Sequence, residues 1–172
     1  MSTEPIMVDV ERMVPDTGKG DFRPGADLHG RDLAGAELPG RKLSGTNLRG
    51  VNLRGADLHG AYLDGADLRE ADLSGANLEL AVLGGADLSN AVLRGANLRR
   101  ANLVGTKAHG TDFSETDLYY SRPGNADMPG AIFRKANIQR AIFRRANLRG
   151  ADFRGAQGQA NFENANLEEA QQ

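Results

Sequence analysis

The side chains of this chain that could take part in chemistry are three histidines, a few serines and many aspartates. The histidines His29, His59 and His109 stand far apart, and none has a set of carboxylates or histidines at the spacing of a metal site. No serine is accompanied by the histidine and aspartate that nucleophilic catalysis requires. These residues predict a protein that is not an enzyme and that uses neither a metal nor a cofactor.

Aspartates and asparagines recur at one position of a five-residue pattern. In a turn, such side chains accept hydrogen bonds from nearby backbone amides, which is a structural role. Stacked along a rod, the carboxylates would instead form an acidic surface that imitates a phosphate backbone. The candidate residues of this acidic surface are Asp27, Asp67, Asp87 and Asp127.

Basic residues are concentrated near the C-terminal end, although the whole chain has a formal net charge of -2. Residues 131–155 contain seven Lys or Arg residues against one Asp, whereas residues 21–130 contain twelve basic and fifteen acidic residues. This basic collar is either solvated surface charge or a contact for an acidic partner, protein or nucleic acid. The candidate contacts are Arg134, Arg144, Arg145 and Arg154, together with the aromatic pair Tyr119 and Tyr120.

A strict period of five must position all of these residues. From Ala26 to Gly155 there are 26 consecutive units, with a small residue first in all but two (Arg31 and Arg41), a large apolar residue third in all but two and, in most units, a glycine last. In an α-helix a period of five would scatter the apolar residues over every face, and in a flat strand it would alternate their sides. The chain must therefore turn once per unit. Four turns close a square coil of twenty residues, and stacked coils lie ~4.8 Å apart.

The third residues of the units form the predicted apolar core. All but two of them are Leu, Phe, Ile or Met, and the exceptions are Ala108 and Pro123. Because proline has no amide hydrogen, we expect a local irregularity at residues 121–125. We also expect a shift of register after Phe153, where one unit is a residue short. The core includes Leu28, Leu33, Leu68, Leu73, Leu88, Leu93, Phe113, Phe133, Phe143 and Phe153.

Units that read A-(D/N)-L-x-G, such as residues 66–70 and 71–75, resemble the pentapeptide-repeat family. The resemblance covers nearly the whole chain and implies an all-β fold, a right-handed quadrilateral β-helix of about seven coils and roughly 35 Å. We expect residues 1–20 to be an N-terminal tail or cap, formed by a short helix or a strand, and residues 21–172 to be the β-helix. Some family members protect DNA gyrase from quinolones by imitating DNA.

Three functions remain open at this point. The first is a scaffold that presents a rigid β-helical surface to a protein partner, helped by apolar residues such as Val82, Val92, Ile132 and Ile142. The second, implied by the resemblance, is a DNA mimic that binds gyrase and confers fluoroquinolone tolerance. The third is weak nucleic-acid binding through the basic collar.

The setting of the protein is predicted from composition. The absence of cysteine favours the cytoplasm, and we find neither a signal peptide nor an apolar segment long enough to cross a membrane. The oligomeric state stays open. An end-to-end dimer is one alternative, although no amphipathic helix follows Leu167.

Overall fold

The computed structural model describes residues 22–172, so the expected cap at residues 1–20 lies outside the described residues. Within 22–172 there is neither a helix nor an extended strand: each unit contributes a single parallel β-bridge and a turn. The bridges begin at Asp27 and end at Gln171, and they pair residues twenty apart over most of the chain. No helix of the described part is long and apolar enough to cross a membrane. The chain is a β-helical solenoid in which one coil takes four units.

Each regular unit makes one corner and three backbone bonds to the next coil, one of them from the corner amide, as where Gly30 donates to Arg49 at 2.9 Å. The amide of Leu28 donates to the carbonyl of Asn47 at 2.8 Å, and the amide of Asn47 donates back to Ala26 at 2.9 Å. The corner is closed by the amide of Arg31, which donates to Leu28 at 3.2 Å, with Gly30 at a φ of 64°. A positive φ at the third residue of a turn is what a type II turn requires.

The predicted core residues are all buried, with exposed fractions between 0% and 7%. In the C-terminal coils the phenylalanines form two columns. Phe133 stacks between Phe113 and Phe153, with ring centroids 5.0 and 4.8 Å away. Phe143 stacks on Phe162 at 5.2 Å and meets Phe133 edge-on at 5.5 Å. Such stacked and edge-to-face pairs stabilise the core beyond the burial of their area.

Corners of the solenoid change in residue type along the chain. Up to Gly65 every corner residue is glycine, which adopts a positive φ without steric cost. Beyond it, twelve corners place another residue at a φ of 54–61°, a conformation that costs about 1–2 kcal/mol each. The residues at these corners are Glu70, Leu80, Asn90, Arg100, Glu115, Tyr120, Asn125, Lys135, Arg140, Arg145, Asn164 and Glu169.

The expected shift of register lies next to Gly158. Asn137 still bridges to Gln157, twenty residues on, but Ile142 bridges to Asn161, only nineteen residues on. The shortened unit draws the chain against the coil before it. A Cβ atom on Gly158 would lie 2.7 Å from the backbone of Gln139, and its φ is 96°.

At residues 121–125 the expected irregularity is confined to the bonding between coils: the turn and the register continue unchanged, but among the described residues the bridge from Arg122 to Ile142 that would continue the column is missing. The amide of Asn125 still donates to Arg144 at 2.9 Å, and Pro123 is buried in the core. Only the hydrogen bonds differ: within 22–172, the carbonyl of Ile142 receives no donor where an ordinary residue in place of Pro123 would supply one. The hydroxyl of Ser121 is also buried without a partner.

Replacing Gly158 tests the close approach at the shifted unit. We expect Gly158→Ala to lower the free energy of unfolding by at least about 2 kcal/mol, since the methyl group overlaps Gln139 in a strained conformation. Gly150→Ala is the matched control: its φ is also positive, at 64°, but its Cβ would meet no atom within 4 Å, so about 1 kcal/mol is expected. Urea unfolding checks both, and equal losses would contradict the close approach.

A second prediction concerns the missing donor at Pro123. Pro123→Leu supplies an amide for the Ile142 carbonyl, and we expect it to raise the free energy of unfolding by about 1 kcal/mol. Pro39→Leu is the control, because Pro39 lies exposed at a corner where no such bond is missing. If both changes shift the thermal midpoint alike, the lost bond is not what distinguishes this coil.

Candidate interaction surface

The four faces of the solenoid carry straight columns of outward side chains. We call them the first to the fourth face, with core centres that begin at Leu33, Leu38, Leu43 and Leu28, respectively. On each face the residue before the centre and the residue after it point outward, and a corner residue follows. Because residues of one column lie twenty apart, neighbours in a column are neighbours in space.

Aspartates before the centres serve the turns. The carboxylate of Asp57 accepts the amide of His59 at 3.0 Å, and Asp87 accepts the amide of Ser89 at 3.0 Å. Asparagine amides extend these bonds between coils, as where Asn77 donates to Asp57 at 3.0 Å. These side chains therefore brace the corners and the columns, which is the structural role that Asx residues have in turns.

The proposed acidic surface lies on the fourth face, and basic side chains interrupt it. Asp67 and Asp87 are bridge partners and therefore neighbours in the column. Asn47 lies between Asp27 and Asp67, and Lys107 lies between Asp87 and Asp127. The Nη2 atom of Arg69 lies 2.6 Å from the carboxylate of Asp67. The hydrogen bond from Arg69 lowers the pKa of Asp67, although partial burial of the carboxylate acts to raise it.

His109 is a partner that sequence reasoning missed. Its Nε2 lies 2.6 Å from the carboxylate of Asp127 in the next coil. Burial raises the pKa of Asp127, but the hydrogen bonds from His109 and Asn147 outweigh it, so that the pKa is lowered. His29 also contacts the next coil, with Nδ1 2.8 Å from the carbonyl of Arg49. In the described part of the chain, no three His, Cys, Asp or Glu side chains are grouped so as to hold a metal.

The basic collar is extensively paired with acids. Arg154 and Arg134 both bind Asp152, at 2.7 and 2.5 Å, and these bonds, from Arg154 above all, hold the pKa of Asp152 well below its usual range. Arg144 lies 3.4 Å from Glu163 in the next coil. Arg149 similarly meets both Glu168 and Glu169. Counting charges over residues 131–155 missed these glutamates, which lie beyond that range.

Tyr119 and Tyr120 form part of a ladder of aromatic and cationic side chains. Their rings meet edge-on with centroids 4.7 Å apart. The guanidinium of Arg99 lies 4.6 Å over Tyr119 and also binds Asp117 at 3.0 Å. Arg140 lies 5.0 Å over Tyr120 and donates a hydrogen bond to its hydroxyl. The bond to Tyr120 raises the pKa of Arg140.

The third face exposes apolar side chains that the sequence analysis only partly found. Ile142 is 38% exposed, as expected, but Tyr62 at 47% and Val104 at 42% were not singled out. Leu80, at the corner that leads into this face, is 43% exposed. The available signal was the set of glycines around them, Gly84, Gly85 and Gly124, which remove side chains from the same face.

A shallow cavity of about 270 Å³ lies at the C-terminal end of the solenoid. Phe153, Phe162 and Leu167 line it, together with the close-packed Gly158. It lies at the C-terminal end of the apolar core in the described residues 22–172, and the columns of the four faces do not reach into it.

Comparison with known proteins supports the reading of the repeat. The family model for pentapeptide repeats matches the sequence over residues 25–60, 42–79, 81–118 and 124–156, with eight copies of the repeat. No curated protein matches the chain significantly.

Several solved structures of pentapeptide repeat proteins are similar to the chain. Rfr23 from the cyanobacterium Cyanothece 51142 is 36% identical, with a TM-score of 0.43 over 52% of this chain and 58% of its own, so this chain spans little more than half of Rfr23. HetL from Nostoc sp. strain PCC 7120, involved in the regulation of heterocyst differentiation, is 28% identical over 86% and 83% of the two chains, with a TM-score of 0.34. A trypsin-treated variant of QnrB1, a plasmid-mediated fluoroquinolone resistance protein, is 20% identical over 86% and 79%, with a TM-score of 0.49.

The matched segments cover most of the chain and coincide with the five-residue units that build the coils. The chain therefore belongs to the pentapeptide repeat family, and its fold is the right-handed β-helical solenoid of that family.

Proposed function

We propose that this protein is a non-enzymatic scaffold, a rod of about seven coils over residues 21–172 that binds a protein partner along one of its faces. The observation that carries the proposal is the straight columns of outward side chains, held in register by backbone bonds between coils of 2.7–3.2 Å. A surface that is already ordered loses little conformational entropy when it binds. It suits recognition of an extended surface of a partner.

The charges favour a protein partner over nucleic acid. Four arginines of the basic collar, Arg134, Arg144, Arg149 and Arg154, are within ion-pair distance of carboxylates. A phosphate backbone would have to displace these acids, and the chain as a whole is slightly negative. Exposed Tyr62, Leu80 and Val104, by contrast, offer apolar area of the kind that is buried in protein interfaces.

A DNA mimic that binds gyrase is the second candidate, supported by the adjacent carboxylates of Asp67 and Asp87 on the fourth face. Arg69 and Lys107 stand in or beside that column, so the acidic run is short. A mimic of a phosphate backbone needs negative charge over a long stretch, and for this reason we place the general scaffold first.

A binding experiment tests the scaffold. Tagged protein is incubated with a lysate of the source organism, and the mixture is then treated with nuclease and crosslinked. We expect a discrete partner protein that survives nuclease and is competed away by untagged chain, because the recognised surface is protein and saturable. Capture that disappears after nuclease, or that untagged chain does not compete, would rule out the proposal.

Gyrase is tested separately with purified components. If the scaffold binds another protein, micromolar chain leaves supercoiling by gyrase and drug-stabilised DNA cleavage unchanged. Inhibition or protection by the wild-type chain that is lost in Asp67→Asn with Asp87→Asn would establish the second candidate instead. Asp57→Asn on the second face is the matched control for the loss of a turn-bracing carboxylate.

A further inference from the structure

The third face has a composition unlike that of the other three, and it is best described by its columns. Before the core centres it carries Tyr62, Val82, Asn102, Arg122 and Ile142, and after them Asp64, Gly84, Val104, Gly124 and Arg144. The corner that leads into it carries Leu80, Arg100, Tyr120 and Arg140 in successive coils. We call these columns together the third-face patch.

Around Val104 the third-face patch is apolar and its surface is uneven. Val104 is 42% exposed and stands in one column between Gly84 and Gly124. A Cβ atom on Gly84 would lie 3.6 Å from the carbonyl of Val104, and one on Gly124 would lie 3.5 Å from the carbonyl of Arg144. The two glycines therefore leave a notch on either side of Val104, where a partner's side chain can approach the backbone.

The third-face patch also holds three arginines that, within residues 22–172, have no acidic partner. Arg100, Arg122 and Arg140 are exposed, and in the region 22–172 none of them has a carboxylate within ion-pair distance. The guanidinium of Arg140 lies over the ring of Tyr120 and donates to its hydroxyl. Elsewhere arginines that follow a core centre reach an aspartate in the next coil, as Arg99 reaches Asp117. The positive charge of this corner is therefore available to a ligand.

We propose that the third-face patch binds an acidic segment of a partner protein, one that carries apolar side chains between its carboxylates. This inference rests on the proposed scaffold function. The apolar side chains would contact Leu80, Val82 and Val104, and the carboxylates would pair with Arg100, Arg122 and Arg140. Charge-assisted hydrogen bonds from guanidinium groups suit carboxylates in a bidentate geometry.

Two other occupants fit the patch less well. A nucleic acid would use the cations but would leave Leu80, Val82 and Val104 without a complementary surface. A second copy of this chain would bring the same arginines against one another, with Asp64 as the one acidic residue of the patch. Like charges at such an interface oppose association.

The test uses the full chain and short fluorescein-labelled peptides in anisotropy titrations. The probe peptide alternates glutamate with leucine or valine. One control peptide has glutamine for glutamate, a second is all glutamate, and a single-stranded oligonucleotide matches the charge of the probe. We expect the probe to bind at least tenfold more tightly than each control, because only the probe offers both carboxylates and apolar side chains.

The variant Arg100→Glu with Arg122→Glu is expected to weaken the probe at least tenfold. Lys135→Glu is the matched control: Lys135 occupies a corner with a φ of 57°, nearly that of Arg100 at 58°, but on the edge between the first and second faces. It should change the affinity less than twofold. Val104→Ser, which leaves every charge in place, is expected to weaken the probe about threefold.

Three results would overturn the inference: an affinity that the double variant leaves unchanged, tighter binding to the oligonucleotide than to the probe, or equal loss in Lys135→Glu. Circular dichroism confirms that each variant is folded. The scaffold itself is judged by the captured partner. If wild type and the double variant capture the same protein equally, the scaffold stands and the third-face patch is wrong.

Discussion

Backbone hydrogen bonds between successive coils are the interaction on which the rest of this structure depends. From Leu28 to Ile138 every core centre except Pro123 donates to the residue nineteen places ahead, and after the shift of register the spacing becomes eighteen. The same bond recurs in the next coil, as Leu68 donates to Asp87 and Leu88 to Lys107, both at 2.7 Å. These bonds require that the four corners bring the chain back into the same register. Once the register is fixed, every side chain has a defined neighbour one coil above and one below.

The corner residues connect stability to recognition. Glycine satisfies a left-handed corner without cost but contributes no side chain, and the coils before residue 70 use it throughout. Later corners accept strain and gain side chains: Leu80, Arg100, Tyr120 and Arg140 all have positive φ. Backbone strain that is stabilised by the surrounding structure is typical of functional positions. Four of the twelve strained corners therefore lie on the edge that leads into the third face, where they present its distinctive side chains.

Charge on this surface is governed by the coil geometry. A residue after one centre reaches the residue before the next centre in its column, eighteen positions on, as Arg54 reaches Asp72 and Arg134 reaches Asp152. Pairs in which both side chains reach solvent, such as Arg54 with Asp72, stabilise a fold by only about 0–1 kcal/mol. Their larger effect is on recognition, because they decide which cations remain free. A segment rich in basic residues can be neutralised by acids of the neighbouring coils, whereas a few arginines that are far apart in the sequence form the positive surface.

The sequence by itself determined most of the fold: a period of five that buries both Leu73 and Phe133 requires one turn per unit and a stack of four-sided coils, and the short unit near Gly158 indicated a shift of register. The handedness of the coil followed from the family resemblance. The sequence also indicated that Pro123 interrupts the hydrogen bonds between coils, but it did not indicate that the path of the backbone is unchanged there. The tertiary structure alone decided how the outward side chains pair: Asp152 meets two arginines, whereas Arg100 meets no carboxylate among residues 22–172. The physical reason is that the core follows a rule within each five residues, whereas surface pairing depends on side chains about twenty residues apart. Their reach and direction become defined only when the coils are stacked.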